Sequence, residues 1–327
     1  ICRSSIRLRE ISNDKSLWLK LNLTRRKVPY GFIEKAIQNG CEYLNLGYCC
    51  VHGGEKLEVP WKLKYLELSQ SGDGEDLMAL DQGVLENCHF LQKLAVENLQ
   101  LDSDAIEQIC QNGETLQILS LEGCNIDFYD RTELIQKLFT KCSKLTELNI
   151  RKGVGASIFG NSMLLDQHVC ALVDNLTPNI LKLSLCSQSV TDEHVNTLVR
   201  RCNKITELDL SFTEITNDSV DSIIEHLNSL EKLSVVTYPN TKIDFSTLLQ
   251  LKSIPTLKIL RWGCFGRRQS EEDIEKIKNL KLQLPHISIN EEHLHIACST
   301  KEVNGSIDPD WFWEIKAKQQ DLFPEAY

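Results

Sequence analysis

The side chains able to do chemistry in this chain are histidines, cysteines and grouped acids. His286, His293 and His295 fall within ten residues, beside a strand-like segment. Surface or half-buried histidines are the expected reading, and a metal site is the alternative. Cys49 and Cys50 would need two more ligands at close spacing to hold zinc. Glu271-Glu272-Asp273 fits the opening turn of a helix, where acids complement the dipole, better than acid–base work. No phosphate loop, dinucleotide fingerprint, G-x-S-x-G or H-E-x-x-H occurs. The expectation is a binding protein with no catalytic residue, no cofactor and no metal.

The thirteen cysteines are spaced by something other than disulfide pairing. Cys88, Cys142 and Cys202 each precede by three residues a six-residue pattern, L-x-x-L-x-L. The pattern reads LKYLEL, LQKLAV, LQILSL, LTELNI, ILKLSL, ITELDL, LEKLSV and LKILRW. It starts at Leu63, Leu91, Leu116, Leu145, Ile180, Ile205, Leu230 and Leu257, with spacings of 28, 25, 29, 35, 25, 25 and 27. A repeat of this length and signature is that of a leucine-rich-repeat solenoid. Cys124, in LQILSLEGCNI, fills the asparagine/cysteine slot of that repeat. These are packing positions where a free thiol acts as a small hydrophobe, so free thiols and a reducing compartment are expected.

Composition agrees. The 327 residues are 42% apolar and 25% charged, ordinary for a folded chain, and a solenoid escapes the usual limit on core size. No apolar run reaches the length of a membrane span, and ICRSSIRLRE lacks the apolar stretch of a signal peptide. The start without Met suggests a fragment or a trimmed product. A net charge of −10 with scattered bases argues against nucleic-acid binding.

The consensus leucines predict a short strand per repeat with its leucines inward and the intervening residues on a concave face. DSDAIEQICQN, TDEHVNTLVRRC and NDSVDSIIEHLN have helical spacing, each opening on a capping Asp, Thr or Asn. The expected fold is therefore α/β, a horseshoe with parallel strands inside and helices outside. The domains divide as residues 1–24, a helical piece; 25–290, the solenoid; and 291–327, a tail. RKGVGASIFGNSMLLDQ lengthens the repeat starting at Leu145, as a loop near the binding face or a tolerated surface loop. SEEDIEKIKNLKLQL and HISIN predict a last helix and strand. The tail carries Trp311, Phe312 and Trp313 and is expected to pack back on the horseshoe, or to anchor a partner.

At its ends the chain says more. ICRSSIRLREISNDKSLWLKLNLT resembles the second half of an F-box, with Cys2, Leu8, Leu17 and Trp18 on the motif, and Ser5 where that motif has Trp. VTDEHVNTLVRRCNKITELDLS is similar to the cysteine-containing repeats that follow F-boxes. SIPTLKILRWGCFG, LQLPHISIN and the tail's WEIK resemble the S-phase-kinase-associated F-box protein family, substrate receptors of SCF ubiquitin ligases. The resemblance implies docking of Cys2, Leu8, Leu17 and Trp18 on a Skp-type adaptor joined to a cullin scaffold. It implies phosphorylated substrates, cyclin-dependent kinase inhibitors among them, and a Cks-type accessory protein that reads the phosphate. By analogy with the family, residence is in nucleus and cytoplasm.

Projection of the strands puts Glu67, Lys93, Glu97, Glu122, Glu147, Arg151, Lys182, Glu207, Asp209, Lys232 and Arg261 on the concave face. Acids and bases mix, with no arginine cluster of the kind a phosphate reader needs. That favours a site shared with a second protein. The candidate contacts are Arg151, Lys152, Asp209, Phe212, Lys232, Tyr238, Arg261 and Trp262, joined by Trp311 and Trp313 of the tail. Trp262 occupies a consensus position and competes with a core role. The alternative function is a leucine-rich-repeat scaffold without a ligase role.

Overall fold

The computed structural model describes residues 14–52, 61–69, 84–126, 131–152, 164–237, 243–264 and 271–290. Cys2, Leu8, Tyr238, His293, His295, Trp311, Trp313, the insertion from 153 to 163 and the tail lie outside the described residues.

The described residues open with a 3-10 turn at Lys15–Trp18, then β1 (Lys20–Asn22), β2 (Lys27–Pro29), α1 (Tyr30–Gln38), β3 (Tyr43–Asn45), β4 (Cys50–His52) and β5 (Tyr65–Glu67). The middle holds β6 (Lys93–Ala95), β7 (Gln100–Leu101), α2 (Ser103–Cys110), β8 (Ile118–Ser120), β9 (Asn125–Ile126), α3 (Arg131–Lys141) and β10 (Glu147–Asn149). There follow α4 (Asp166–Asn175), β11 (Lys182–Ser184), α5 (Asp192–Arg201), β12 (Glu207–Asp209), α6 (Asn217–His226) and β13 (Lys232–Thr237). The chain then forms α7 (Phe245–Gln250), β14 (Ile259–Cys264), α8 (Glu271–Gln283) and β15 (Ser288–Ile289).

Among the described residues eleven strands make one sheet in the order β1-β3-β5-β6-β8-β10-β11-β12-β13-β14-β15. All its pairs are parallel, and their register aligns Leu21, Leu44, Leu66, Leu94, Leu119, Leu148, Leu183, Leu208, Leu233, Leu260 and Ile289 in one row. This is the middle consensus leucine. Because side chains alternate along a strand, that row faces the helices and is buried from Leu44 onward. The chain is an α/β leucine-rich-repeat solenoid, with a strand ladder on one side and helices alongside.

Two further ladders tie the repeats together. The residue after each strand's terminal turn adopts a left-handed backbone at Arg25, Tyr48, Asn98, Gly123, Ser187 and Phe212. Such a conformation costs a non-glycine residue roughly 1–3 kcal/mol. It turns the N–H toward the next repeat, where Tyr48 donates to the Ser69 carbonyl at 2.8 Å, Ser187 to Ser211 at 2.8 Å and Phe212 to Val236 at 2.7 Å. The second ladder uses the asparagine/cysteine slot. Cys49 donates to the Leu23 carbonyl (2.7 Å), Cys124 to Val96 (2.8 Å) and Gln188 to Ile150 (2.5 Å), each acceptor being the third consensus residue of the preceding repeat. Cys88, Cys142 and Cys202 are buried at their predicted packing positions, and the ten described cysteines are free thiols.

The helices follow the sequence pattern with local corrections. Asp102 caps α2, accepting from Ala105 N at 2.8 Å. Thr191 caps α5 in a capping box with His194. For α6 the cap is Thr216 and not Asn217, which is the first helical residue, because the Thr216 hydroxyl reaches the Asp218 N–H. One helix per repeat does not hold at the start, where β2 pairs with β4 on the outer side, and β7 later pairs with β9.

The solenoid also begins earlier than expected. β1 starts at Lys20, within the segment 1–24 set apart in the sequence, and pairs with β3 in the common register. Trp18, Leu21 and Leu23 stand at the three consensus places of that first repeat, so a tryptophan hides the pattern. At the other end the Asn290 side chain, just after β15, bonds to the backbone of β14. It donates to the Trp262 carbonyl at 2.5 Å and accepts from its N–H at 3.1 Å.

Candidate binding surface

The face of the sheet away from the helices carries three rows of side chains. One row runs Lys93, Ile118, Glu147, Lys182, Glu207, Lys232, Ile259. The next runs Glu67, Ala95, Ser120, Asn149, Ser184, Asp209, Ser234, Arg261. Two residues further along each chain stand Glu97, Glu122, Arg151, Cys186 and Ser211. The sequence projection therefore has the correct direction for every charged residue it named among the described ones.

Facing outward is not the same as being available. Glu67, Glu97, Glu147, Arg151, Glu207 and Asp209 are all buried, because neighbouring strands hold the rows close together. In the first row the charges alternate and neutralise each other. Lys182 Nζ lies 3.9 Å from Glu147 and 3.4 Å from Glu207, and Lys232 Nζ lies 3.3 Å from Glu207. In the other two rows Ser120 donates to Glu97 at 2.6 Å, Asn149 to Glu122 at 3.1 Å, and Arg151 Nε sits 3.5 Å from Glu122. Burial, and then the nearby Asp209 charge, push the Cys186 thiol up to about 12, so this cysteine is a packed neutral thiol.

The individual candidates divide accordingly. Asp209 closes the end of its strand, accepting from Ser211 N at 3.0 Å and Ser184 Oγ at 3.3 Å. Asn45 and Asn149 do the same for Gly47 and Arg151. Asp209 is thus a buried structural residue, and Arg151 is committed to its pair with Glu122. Trp262 is half-buried, pairs in register with buried Val235 and packs against the core, in keeping with the core role its consensus position allows. Phe212, Lys232, Arg261 and Lys152 remain half-buried on the face or its rim. Lys232 and Arg261 lie on consecutive strands β13 and β14, and Phe212 and Lys152 each follow a strand by three residues, β12 and β10.

At the opposite end, Trp18 packs on the core, its ring 5.8 Å from Phe32 and 5.6 Å from the Lys35 ammonium. Leu17 beside it is 54% exposed and Leu19 and Phe32 are exposed as well, leaving an apolar end to the solenoid.

One convergent set of metal-ligating atoms lies among the described residues, and sequence spacing did not reveal it. Asp166 and Cys170 on α4 meet His194 of α5, all three ligand atoms within 4.8 Å of one another. Asp166 and Cys170 are four apart on one helix face, but the histidine comes from the next repeat. His286, singled out in the sequence, is exposed beside β15. No helix among the described residues is long and apolar enough to cross a membrane.

The strand register, the cysteine slots and the length of the ladder can be set against known families. A family model described as the SKP2 LRR domain matches residues 31–320, spanning nearly the whole ladder and reaching into the tail. This chain belongs to the SKP2 LRR domain family.

Proposed function

We propose that this protein is the substrate-recognition subunit of an SCF-type E3 ubiquitin ligase and is itself non-catalytic. The family match over residues 31–320 carries the reading. The solenoid supports it, because a long parallel ladder presents a continuous face suited to holding another protein. In this reading the apolar end at Leu17, Trp18, Leu19 and Phe32 lies toward a Skp-type adaptor and its cullin scaffold. The later strands, with Phe212, Lys232 and Arg261, lie toward the substrate. On the face Arg151, Lys182 and Lys232 lie beside Glu122, Glu147 and Glu207, and direct phosphate recognition calls for uncommitted arginines. That supports a phosphorylated substrate read jointly with a Cks-type protein, cyclin-dependent kinase inhibitors being the substrate class. Residence in nucleus and cytoplasm goes with that role.

The test is affinity purification of the full-length protein from its own cells, with partners identified by mass spectrometry. Recovery of adaptor, cullin and Cks-type protein is expected. Adaptor and cullin alone would keep the ligase role and remove the shared phosphate site. Recovery of neither would leave a leucine-rich-repeat scaffold. Leu17→Ala sharpens the test, since an exposed residue can weaken adaptor binding without unfolding the first repeat. Trp18→Ala does both, because Trp18 packs on the core.

A further inference from the structure

The outer side of the solenoid carries a site unrelated to the sheet face. Helices α4 and α5 belong to neighbouring repeats and pack side by side. At their N-terminal ends His194 Nε2 lies 3.2 Å from Cys170 Sγ and 3.4 Å from Asp166 Oδ1. We propose that Asp166, Cys170 and His194 bind a zinc-type divalent cation that clamps these two repeats together.

The geometry suits that ion. Bonds of about 2.0–2.1 Å to nitrogen and oxygen and about 2.3 Å to sulfur, at tetrahedral angles, place N and O about 3.4 Å apart and N and S about 3.5 Å apart. The observed 3.4 and 3.2 Å lie within a few tenths of an ångström of those values, and the third pair, Asp166 with Cys170, lies within 4.8 Å. Thiolate, imidazole and carboxylate together are a borderline-soft donor set, which selects zinc-like ions over magnesium or calcium. Three protein ligands leave one position for water.

The site is half rigid and half open. His194 is 3% exposed, while the Asp166 side chain is 75% exposed, so an ion can enter from solvent past the acid. A cation entering here takes the Cys170 sulfur as thiolate, with release of the thiol proton to water.

The ring orientation sets a condition. His194 Nδ1 lies 3.1 Å from the Thr191 N–H and 3.0 Å from the Thr191 hydroxyl oxygen. Without metal, Nδ1 accepts from the N–H and Nε2 carries the proton. Metal at Nε2 moves the proton to Nδ1, which then donates to the hydroxyl oxygen, and the Thr191 N–H loses its acceptor, a cost of about 1–3 kcal/mol that the metal bonds must offset. The histidine keeps an oxygen partner behind it, as metal-bound histidines do.

The next interface shows what the same place looks like when it is only structural. There Asp192 of α5 takes the position of Asp166. It accepts from Thr216 N at 2.8 Å, Thr216 Oγ1 at 2.7 Å and the Ser219 hydroxyl, with Asn196 where Cys170 stands. Asn196 is turned away to Arg200 at 2.9 Å. Between α4 and α5 the serine has become histidine and the asparagine cysteine, so hydrogen-bonding groups are replaced by metal-ligating ones.

The experiment is titration of the reduced, metal-free full-length protein with Co2+, followed by competition with Zn2+. Cys170→Ser and Asp166→Asn serve as variants, both at exposed positions that leave the fold intact and keep every other thiol. Expected are a thiolate-to-cobalt charge-transfer band and the strong visible absorption of tetrahedral cobalt at one equivalent, displaced by Zn2+. The signal should be lost in Cys170→Ser, with affinity at least about tenfold weaker in Asp166→Asn. The same cobalt spectrum in Cys170→Ser as in the unaltered protein would overturn the proposal. So would unchanged affinity in Asp166→Asn, which would mean a lone exposed thiol collecting metal. Neither result depends on a ligase partner.

Discussion

Lys182 is the position at which the buried charge ladder can be tested most directly. Its side chain is 12% exposed between Glu147 at 3.9 Å and Glu207 at 3.4 Å. At an effective dielectric near 20, those separations correspond to gross attractions of about 4 and 5 kcal/mol, most of which offsets desolvation. Lys182→Met keeps the packing of the stem and removes the charge. Glu147 and Glu207 then lose this shared cation, while Glu207 keeps Lys232 at 3.3 Å. Removing one partner of a buried pair costs about 3–5 kcal/mol; the remaining Lys232 contact places this change near about 3. Urea unfolding at pH 7 is the assay, with Lys258→Met as comparison. The Lys258–Glu231 pair is shorter at 3.0 Å, but Lys258 is 66% exposed, so its loss should cost no more than about 1 kcal/mol. Adding Glu147→Gln to Lys182→Met should recover about 0.5–3 kcal/mol of coupling. Because each repeat touches only its neighbours, amide exchange should quicken at Leu148 and Leu183 and not at Leu44. A Lys182→Met cost below about 1 kcal/mol, or no coupling to Glu147, would refute the reasoning.

Four other outcomes are expected. Leu119→Ala opens a cavity in the continuous leucine row and should cost about 2–5 kcal/mol in the same urea assay. Asn112→Ala leaves the buried Leu91 N–H and Cys88 carbonyl without the partners they now have at 2.9 and 2.8 Å, at about 1–3 kcal/mol each; a change under 1 kcal/mol would show that water replaces the side chain. Burial pushes the thiols of Cys124 and Cys142 up to about 12, so brief maleimide treatment of the native protein near pH 7 should mark exposed Cys170 well before either, as read by peptide mass spectrometry. Burial acts to raise the Asp192 carboxyl, but hydrogen bonds from Ser219 and Thr216 outweigh it and lower the value from 3.8. Its contribution is therefore present above the unfolded value and lost as pH falls through the lower folded one. The stability difference between the protein and Asp192→Asn should be flat above about pH 5 and shrink below about pH 4.

The solenoid was legible in the sequence because its rule is local. A leucine every second or third residue in a short strand fixes which way that strand faces, and the spacing of about 28 residues fixes that the strands stack. The cysteine slots, the capped helices and the last strand at Ser288–Ile289 follow from the same periodicity. The first repeat escaped it, since Trp18 stands where leucine, isoleucine or cysteine marks the others. The direction of Asp209 and Arg151 was legible too. Their availability was not, because burial on the sheet face depends on the side chains one repeat away on either side. Glu122 closing on Arg151 at 3.5 Å and Ser184 on Asp209 at 3.3 Å are contacts between residues 25 or more positions apart. Trp262 packs on the core from the third consensus place, in register with Val235. The meeting of Asp166 and Cys170 with His194 was beyond the sequence altogether. A spacing rule sees one helix at a time, and only the packing of consecutive repeats decides which helix faces confront each other.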